Sequence, residues 1–319
     1  MRMLMLLFLL VLHPIPMPAE GLDEAIRFYE KGEFKQAVNL LLRLKNLSQD
    51  DPDVRLWLGK SYLKTGDWDN AVREFEKSTQ LKPSDAHSRL WLGRACGAKA
   101  AHAFVLIAPR WAHRVLTEFE TARKLSPNDV DVRFDLLEFY LEAPGIMGGG
   151  KDKAHAEALA IEKLNPKKGY LARSTILSKD KKMDQAKKEL IQATIAYPND
   201  ANAFKDLADY LLDRRDFEGA LEYSRKALSL DQQSKRSLLI MAAAQTMLRT
   251  DLDHSMRILL DLVSGPLTDN DPTFEEAYYW LGECYLAMGD KSKAQQAFLS
   301  VLTFNPDYDK AREHVSELR

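Results

Sequence analysis

A glycine-rich run ending in lysine is the stretch of this chain most suggestive of chemistry. Gly145-Ile146-Met147-Gly148-Gly149-Gly150-Lys151 has the spacing of a phosphate-binding loop up to its lysine. In such a loop backbone N–H groups cradle phosphate, and a Ser or Thr directly after the lysine holds magnesium. Asp152 stands there instead, and a carboxylate repels phosphate. No strand precedes the run, so the spacing predicts a flexible turn between helices and not a nucleotide site. Ser61-Tyr62-Leu63-Lys64 and Lys64-Thr65-Gly66 match the S-x-x-K and K-T-G elements of penicillin-binding enzymes. Those elements face each other across a cleft, whereas here both use the same Lys64. Seven histidines occur, none with metal-ligand spacing; His102 and His113 could share a face and read best as structural or surface groups. The expectation is therefore a protein with no catalytic, metal or cofactor-binding residues, and not an enzyme.

The bulk properties agree with a binding role. The chain has 319 residues, 45% apolar and 29% charged, which is a folding composition. A net charge of −2 gives no general pull toward nucleic acid or acidic lipid. Arg2 precedes a nine-residue apolar run, Leu4 to Leu12, followed by Pro14, Pro16 and Pro18. A membrane span needs roughly 20 apolar residues, so the run fits the core of a signal peptide over residues 1–19, with cleavage after Ala19. An uncleaved anchor is the alternative, and the only membrane contact foreseen. The expected location is periplasmic or secreted. Cys96 and Cys284 lie almost 190 residues apart, and each reads as a small buried apolar residue, not as half of a disulfide.

The elements that position these groups come from an internal period. A shift of 34 residues lays Ala25 on Gly59, Phe28 on Tyr62, Gly32 on Gly66, Phe34 on Trp68 and Ala37 on Ala71. A further shift lays Trp57-Leu58-Gly59 on Trp91-Leu92-Gly93. Each unit reads as two amphipathic helices joined by a Gly-Asp type turn and closed by Pro or a polar residue. Leu58-Gly59-x-x-Tyr62, Gly66-Asp67-Trp68, Ala71-x-x-x-Phe75 and Pro83 give the full pattern, which Leu281-Gly282-x-x-Tyr285, Gly289-Asp290, Ala294-x-x-x-Phe298 and Pro306 repeat.

On these residues the chain resembles tetratricopeptide-repeat proteins. The units fall at about 18–51, 52–85, 86–129, 130–166, 167–200, 201–234, 235–274 and 275–308, with a polar capping helix over 309–319. The third unit carries about ten extra residues near 100–110, in its helices or their connection. The seventh ends in a polar linker, Ser264 to Pro272. The Pro-Gly-Ile-x-Gly-Gly-Gly loop beside a lengthened third unit is similar to a group of exported bacterial proteins of this family.

The resemblance implies an all-α, right-handed superhelical solenoid whose first helices line a concave groove. It also implies protein or peptide partners, with no nucleic acid and no small-molecule substrate. Mapped onto this sequence, the groove residues are Leu56, Trp57, Lys60, Lys64, Leu90, Trp91 and Arg94, then an acidic stretch with Phe134, Asp135, Glu138 and Glu142, and finally Tyr279, Trp280 and Glu283. Trp57 and Trp91, flanked by Lys60 and Arg94, are either anchors for a partly acidic peptide or packing between adjacent helices. The carboxylate clamp of some relatives is absent, because Lys60 and Arg94 stand where it uses Asn. The expected function is an interaction scaffold of the bacterial envelope or periplasm; the alternative is an accessory subunit that modulates an enzyme or a secretion or assembly complex.

Overall fold

The structure, a computed structural model, describes residues 18–48, 50–104 and 107–318, with side chains from residue 21 onward. The segment read as a signal peptide lies outside the described residues except for its last two positions. Seventeen α-helices and one short 3-10 helix make up the described elements, with no strand among them. The helices pair in order: α1 (Pro18–Glu30) with α2 (Phe34–Leu47), α3 (Pro52–Lys64) with α4 (Trp68–Leu81), and α5 (Ala86–His102) with α6 (Ala108–Leu125). Then come α7 (Val130–Glu142) with α8 (Lys151–Leu164), α9 (Pro166–Lys179) with α10 (Met183–Ala196), and α11 (Ala201–Asp213) with α12 (Phe217–Leu230). The pairs α13 (Lys235–Leu248) with α14 (Leu252–Ser264) and α15 (Phe274–Ala287) with α16 (Lys291–Phe304) follow, and α17 (Asp309–Glu317) closes the array. No described helix is long and apolar enough to cross a membrane.

Local sequence explains where the helices start. Asp51, Asp85, Asp129 and Asp200 precede first helices, and each accepts hydrogen bonds from amides of the opening turn. Asp67, Asp216 and Asp290 do the same for second helices. A side-chain oxygen there satisfies amides that have no partner inside the helix. The recurring Leu-Gly pair has a packing cause. A Cβ on Gly59 would come within 2.7 Å of the Phe75 ring, and one on Gly282 within 2.6 Å of Phe298. Both rings are fully buried, so the missing side chain makes room for the aromatic of the paired helix.

The irregular repeats resolve in the same terms. The third repeat lengthens both of its helices, α5 to 17 residues and α6 to 18, where others have 13 or 14, an addition of about one turn each. The glycine-rich loop of the fourth repeat, expected to be flexible, is instead tied to itself. The amides of Met147 and Gly149 donate to Pro144, that of Gly148 to Gly145, and that of Gly150 to Tyr140. Those donors are consumed inside the turn, so none of them is aimed outward as a phosphate cradle would require. Lys151 pairs with Asp180.

The array curls until its ends meet. Tyr29, Phe34 and Ala37 share one apolar core with Ile258, Leu267, Phe274 and Ala277. The Phe34 ring stands edge-on to Phe274 at 6.4 Å and to Phe304 at 5.9 Å. The segment between α14 and α15, which its composition marks as a polar linker, crosses the opening. Its Leu267 is 5% exposed, and its backbone N–H donates to the carbonyl of Glu30. Curvature brings that one apolar side chain against the first repeat, and burial follows.

Candidate partner-binding wall

First helices lie beside the first helices of neighbouring repeats, most closely α11 with α13 and α13 with α15, and their inner faces line a wall. Near its N-terminal mouth the wall holds an aromatic box built by three helices. Lys60 Nζ lies 3.6 Å from the centre of the Trp57 ring, 4.8 Å from Trp91 and 5.1 Å from Tyr29. A cation over aromatic faces is attracted by their negative quadrupole. The same Nζ donates to Asp269 Oδ2 at 2.5 Å, and Tyr29 donates its O–H to Asp269 Oδ1 at 2.9 Å. Lys60 is 2% exposed. Burial holds its ammonium below the usual lysine range despite the opposing pull of Asp269. Burial, then the charge of Asp269, pushes the Tyr29 phenol up, so it stays a donor.

Neighbouring groups brace the box. Trp91 stacks on Phe75 with centroids 6.2 Å apart and donates its indole N–H to His87 Nε2 at 3.0 Å. Burial, then the charge of Lys60, lowers the His87 pKa, which keeps that nitrogen neutral and able to accept. Arg94 lies 4.9 Å from the Trp91 ring and grips Asp135 with two bonds, at 2.7 and 3.2 Å. Burial raises the Asp135 pKa even against Arg94. Beside the box runs a cavity of about 610 Å³, lined by Tyr29, Lys64, Trp91, Arg94, Asp269 and Phe274 among others.

Comparison with known proteins fits this architecture. Residues 27–66 match a family described as TPR repeat. Residues 56–101 and 171–235 match one described as Tetratricopeptide repeat, and residues 276–308 match another of the same description. Together these matches run over more than half of the chain. The chain is a tetratricopeptide-repeat protein.

Among solved structures, this tetratricopeptide-repeat chain is similar to yeast Tom70, with a TM-score of 0.60 and 16% identity. The match covers 98% of this chain and 65% of that one, so the chain spans just under two thirds of Tom70's length. At that identity the likeness is one of fold. The thermophilic TPR protein TTC0263 from Thermus thermophilus has a TM-score of 0.44 and 17% identity, over 72% of this chain and 98% of the other. A tetratricopeptide repeat protein from Parabacteroides merdae has a TM-score of 0.46 and 11% identity, over 94% and 98%. No curated protein matches the sequence.

Within the tetratricopeptide-repeat array the candidate groove residues divide into three groups. Trp57, Lys60, Trp91 and Arg94 converge on the box. Lys64 lines the adjoining cavity, half-buried and without an ion partner among the described residues. Leu56 and Leu90 are 8% and 4% exposed and belong to the core between helices, so they offer almost no surface to a partner. This corrects their reading as groove positions. Trp91, 6% exposed, is largely packing; Trp57 is half-buried and edge-on to Tyr29 at 5.3 Å. In the fourth repeat Phe134 packs partly on the core, while Glu138 stays exposed with no ion partner among the described residues. Desolvation in the concavity, then the charge of Asp135, raises its pKa.

At the far end of the tetratricopeptide-repeat array, Tyr279 and Glu283 do not face an open groove. Tyr279 stacks on Tyr308 at 5.4 Å, and Glu283 pairs with His314 of α17 at 2.8 Å. The cap occupies the face a next repeat would cover. Sequence reasoning missed Tyr29 and Asp269, and also the inner-wall bridge in which Arg236 joins Asp209 at 2.7 Å to Glu276 at 2.8 Å. The visible hint for Asp269 was a lone Leu two residues before it in an otherwise polar linker. His102 stacks on Trp68 at 3.9 Å, and among the described residues no group of His, Cys, Asp and Glu is arranged to hold a metal. Cys96 and Cys284 are buried free thiols, the former pushed up to about 12 by burial.

Proposed function

We propose that this protein is a protein–protein interaction scaffold of the bacterial cell envelope or periplasm, with partners held along the inner wall. One observation carries the reading: among the described residues, ion pairs brace parts of that wall, while other charges on it have no ion partner. Arg94 with Asp135, and Arg236 with Asp209 and Glu276, are paired. Lys64 near the mouth and Glu138 in the fourth repeat are not. A partner presenting an acidic group toward Lys64 and a basic one toward Glu138 would gain ion pairs there. Complementarity of this kind sets register and partner choice more than raw affinity. The apolar run at Leu4–Leu12 supports export to the envelope.

The test is a photo-crosslinker placed at Glu138, compared with one at the exposed Leu159 of α8, in intact cells. Specific adducts from position 138 in the envelope fraction are expected, with few from 159. Equal adducts from both positions would refute the wall as the binding surface. Recovery of the folded protein only from the cytosol would refute the location.

A further inference from the structure

We infer that the segment Ser264–Pro272 is an intramolecular ligand: it occupies the Lys60 box as an acidic partner peptide would, and such a peptide binds by displacing it. The inference rests on the scaffold reading and names the chemistry of one partner class, an extended segment with an aliphatic residue two positions before a carboxylate.

Length is the first argument. Most connections between repeats need four residues, as at 48–51, 82–85, 126–129 and 197–200, whereas α14 and α15 are joined by nine, 265–273. The extra length carries the chain over the wall instead of taking the short path between helices. The second argument is the mode of contact. Leu267 is buried and its N–H pairs with Glu30, Thr268 is exposed, and the Asp269 carboxylate reaches in to Lys60 and Tyr29. Alternation of inward and outward side chains, with a main-chain bond between them, is how a receptor reads an extended peptide.

The receptor side is specific in the same sense. One ammonium, itself held among three aromatic rings, and one phenol O–H converge on a single carboxylate, which is more recognition than a simple tether requires. The strap also holds its own shape: Asp271 accepts from the Thr268 amide at 2.8 Å, the Thr268 hydroxyl at 2.9 Å and Lys235 at 2.9 Å. The adjoining cavity of about 610 Å³ remains open, so the strap covers only part of the surface a longer peptide could use. A short tether gives an effective concentration in the millimolar range, so an external peptide competes poorly until the strap is released. Displacement would also free the contact between Leu267 and the first repeat, coupling capture to loosening of the ring.

The experiment titrates a synthetic peptide of residues 264–273 against three full-length proteins: the intact chain, a released variant carrying Leu267→Ala and Asp269→Ala, and the milder Asp269→Asn. Retained helical circular dichroism confirms folding, and Asp269→Asn serves if the double variant unfolds. The peptide is expected to bind a released variant at least tenfold tighter than the intact chain. A peptide with Asn in place of Asp269, or addition of Lys60→Met to the released protein, is expected to remove that gain. Folded variants that bind the peptide no better than the intact chain overturn the inference, and so does equal binding of the Asp and Asn peptides. Crosslinking at Glu138 reads the scaffold function independently: partner capture that persists without peptide binding leaves the scaffold standing and reduces the strap to a brace.

Discussion

The mouth of the array and its middle handle buried charge in opposite ways. At the mouth, Lys60 is almost wholly enclosed by aromatic rings, and its counter-ion arrives from 209 residues further along the chain. In the middle, Arg173 joins Glu162 and Glu189 of the neighbouring helices and keeps part of each pair in water. A neighbour-to-neighbour pair reports only on local stacking. The Lys60–Asp269 pair exists because the whole superhelix has turned far enough to bring the seventh repeat's exit over the first. The mouth is thus sensitive to global curvature, while the middle is not.

That contrast can be broken in graded steps. The largest effect is expected from Trp91→Ala, which should lose about 3–5 kcal/mol of local stability, as large aromatic core truncations do. Denaturant unfolding with hydrogen exchange over repeats two and three reads it, since repeat arrays unfold piecewise. A loss below about 1 kcal/mol would return Trp91 to the role of a free anchor. Next comes Lys60→Ala, at about 3 kcal/mol. That is the lower end for breaking an enclosed pair, because the Asp269 carboxylate can turn to water. Lys60→Met should recover about half by refilling the box, and equal losses for Ala and Met would show that charge, not packing, dominates.

The smallest effect belongs to the middle of the wall. Because the folded-state pKa of Glu138 is raised above its ordinary 4.5, its ionised form is disfavoured by folding. The penalty is absent well below pH 4.5, grows as pH rises toward the raised value, and is complete above it. Glu138→Gln should therefore stabilise the protein modestly at about pH 7 and have little effect at about pH 4, measured by denaturation midpoints at both. A pH-independent difference would contradict the assignment.

These differences track what sequence could reveal. The paired helices and their turns are legible because their causes are local: Asp caps an amide two or three residues on, and Gly59 clears space for Phe75 within one repeat. The family resemblance places Trp57, Lys60, Trp91 and Arg94 on one wall. It misassigns Leu56 and Leu90, because a first-helix position only partly decides whether a side chain turns toward the groove or into the seam between repeats. It could not reveal the strap. Closure is the sum of small rotations over eight repeats, and no window of sequence encodes that sum. Asp269 consequently reads as one more polar linker residue, and α17 reads as a cap without its contact to Glu283 being visible.

Amide hydrogen exchange at Leu267 tests the closed strap most directly. The account predicts slow exchange in the intact protein, because that N–H is buried against the Glu30 carbonyl, and fast exchange in Asp269→Ala with protection in α13 and α14 retained. Exchange at the rate of an open loop in the intact protein would contradict it.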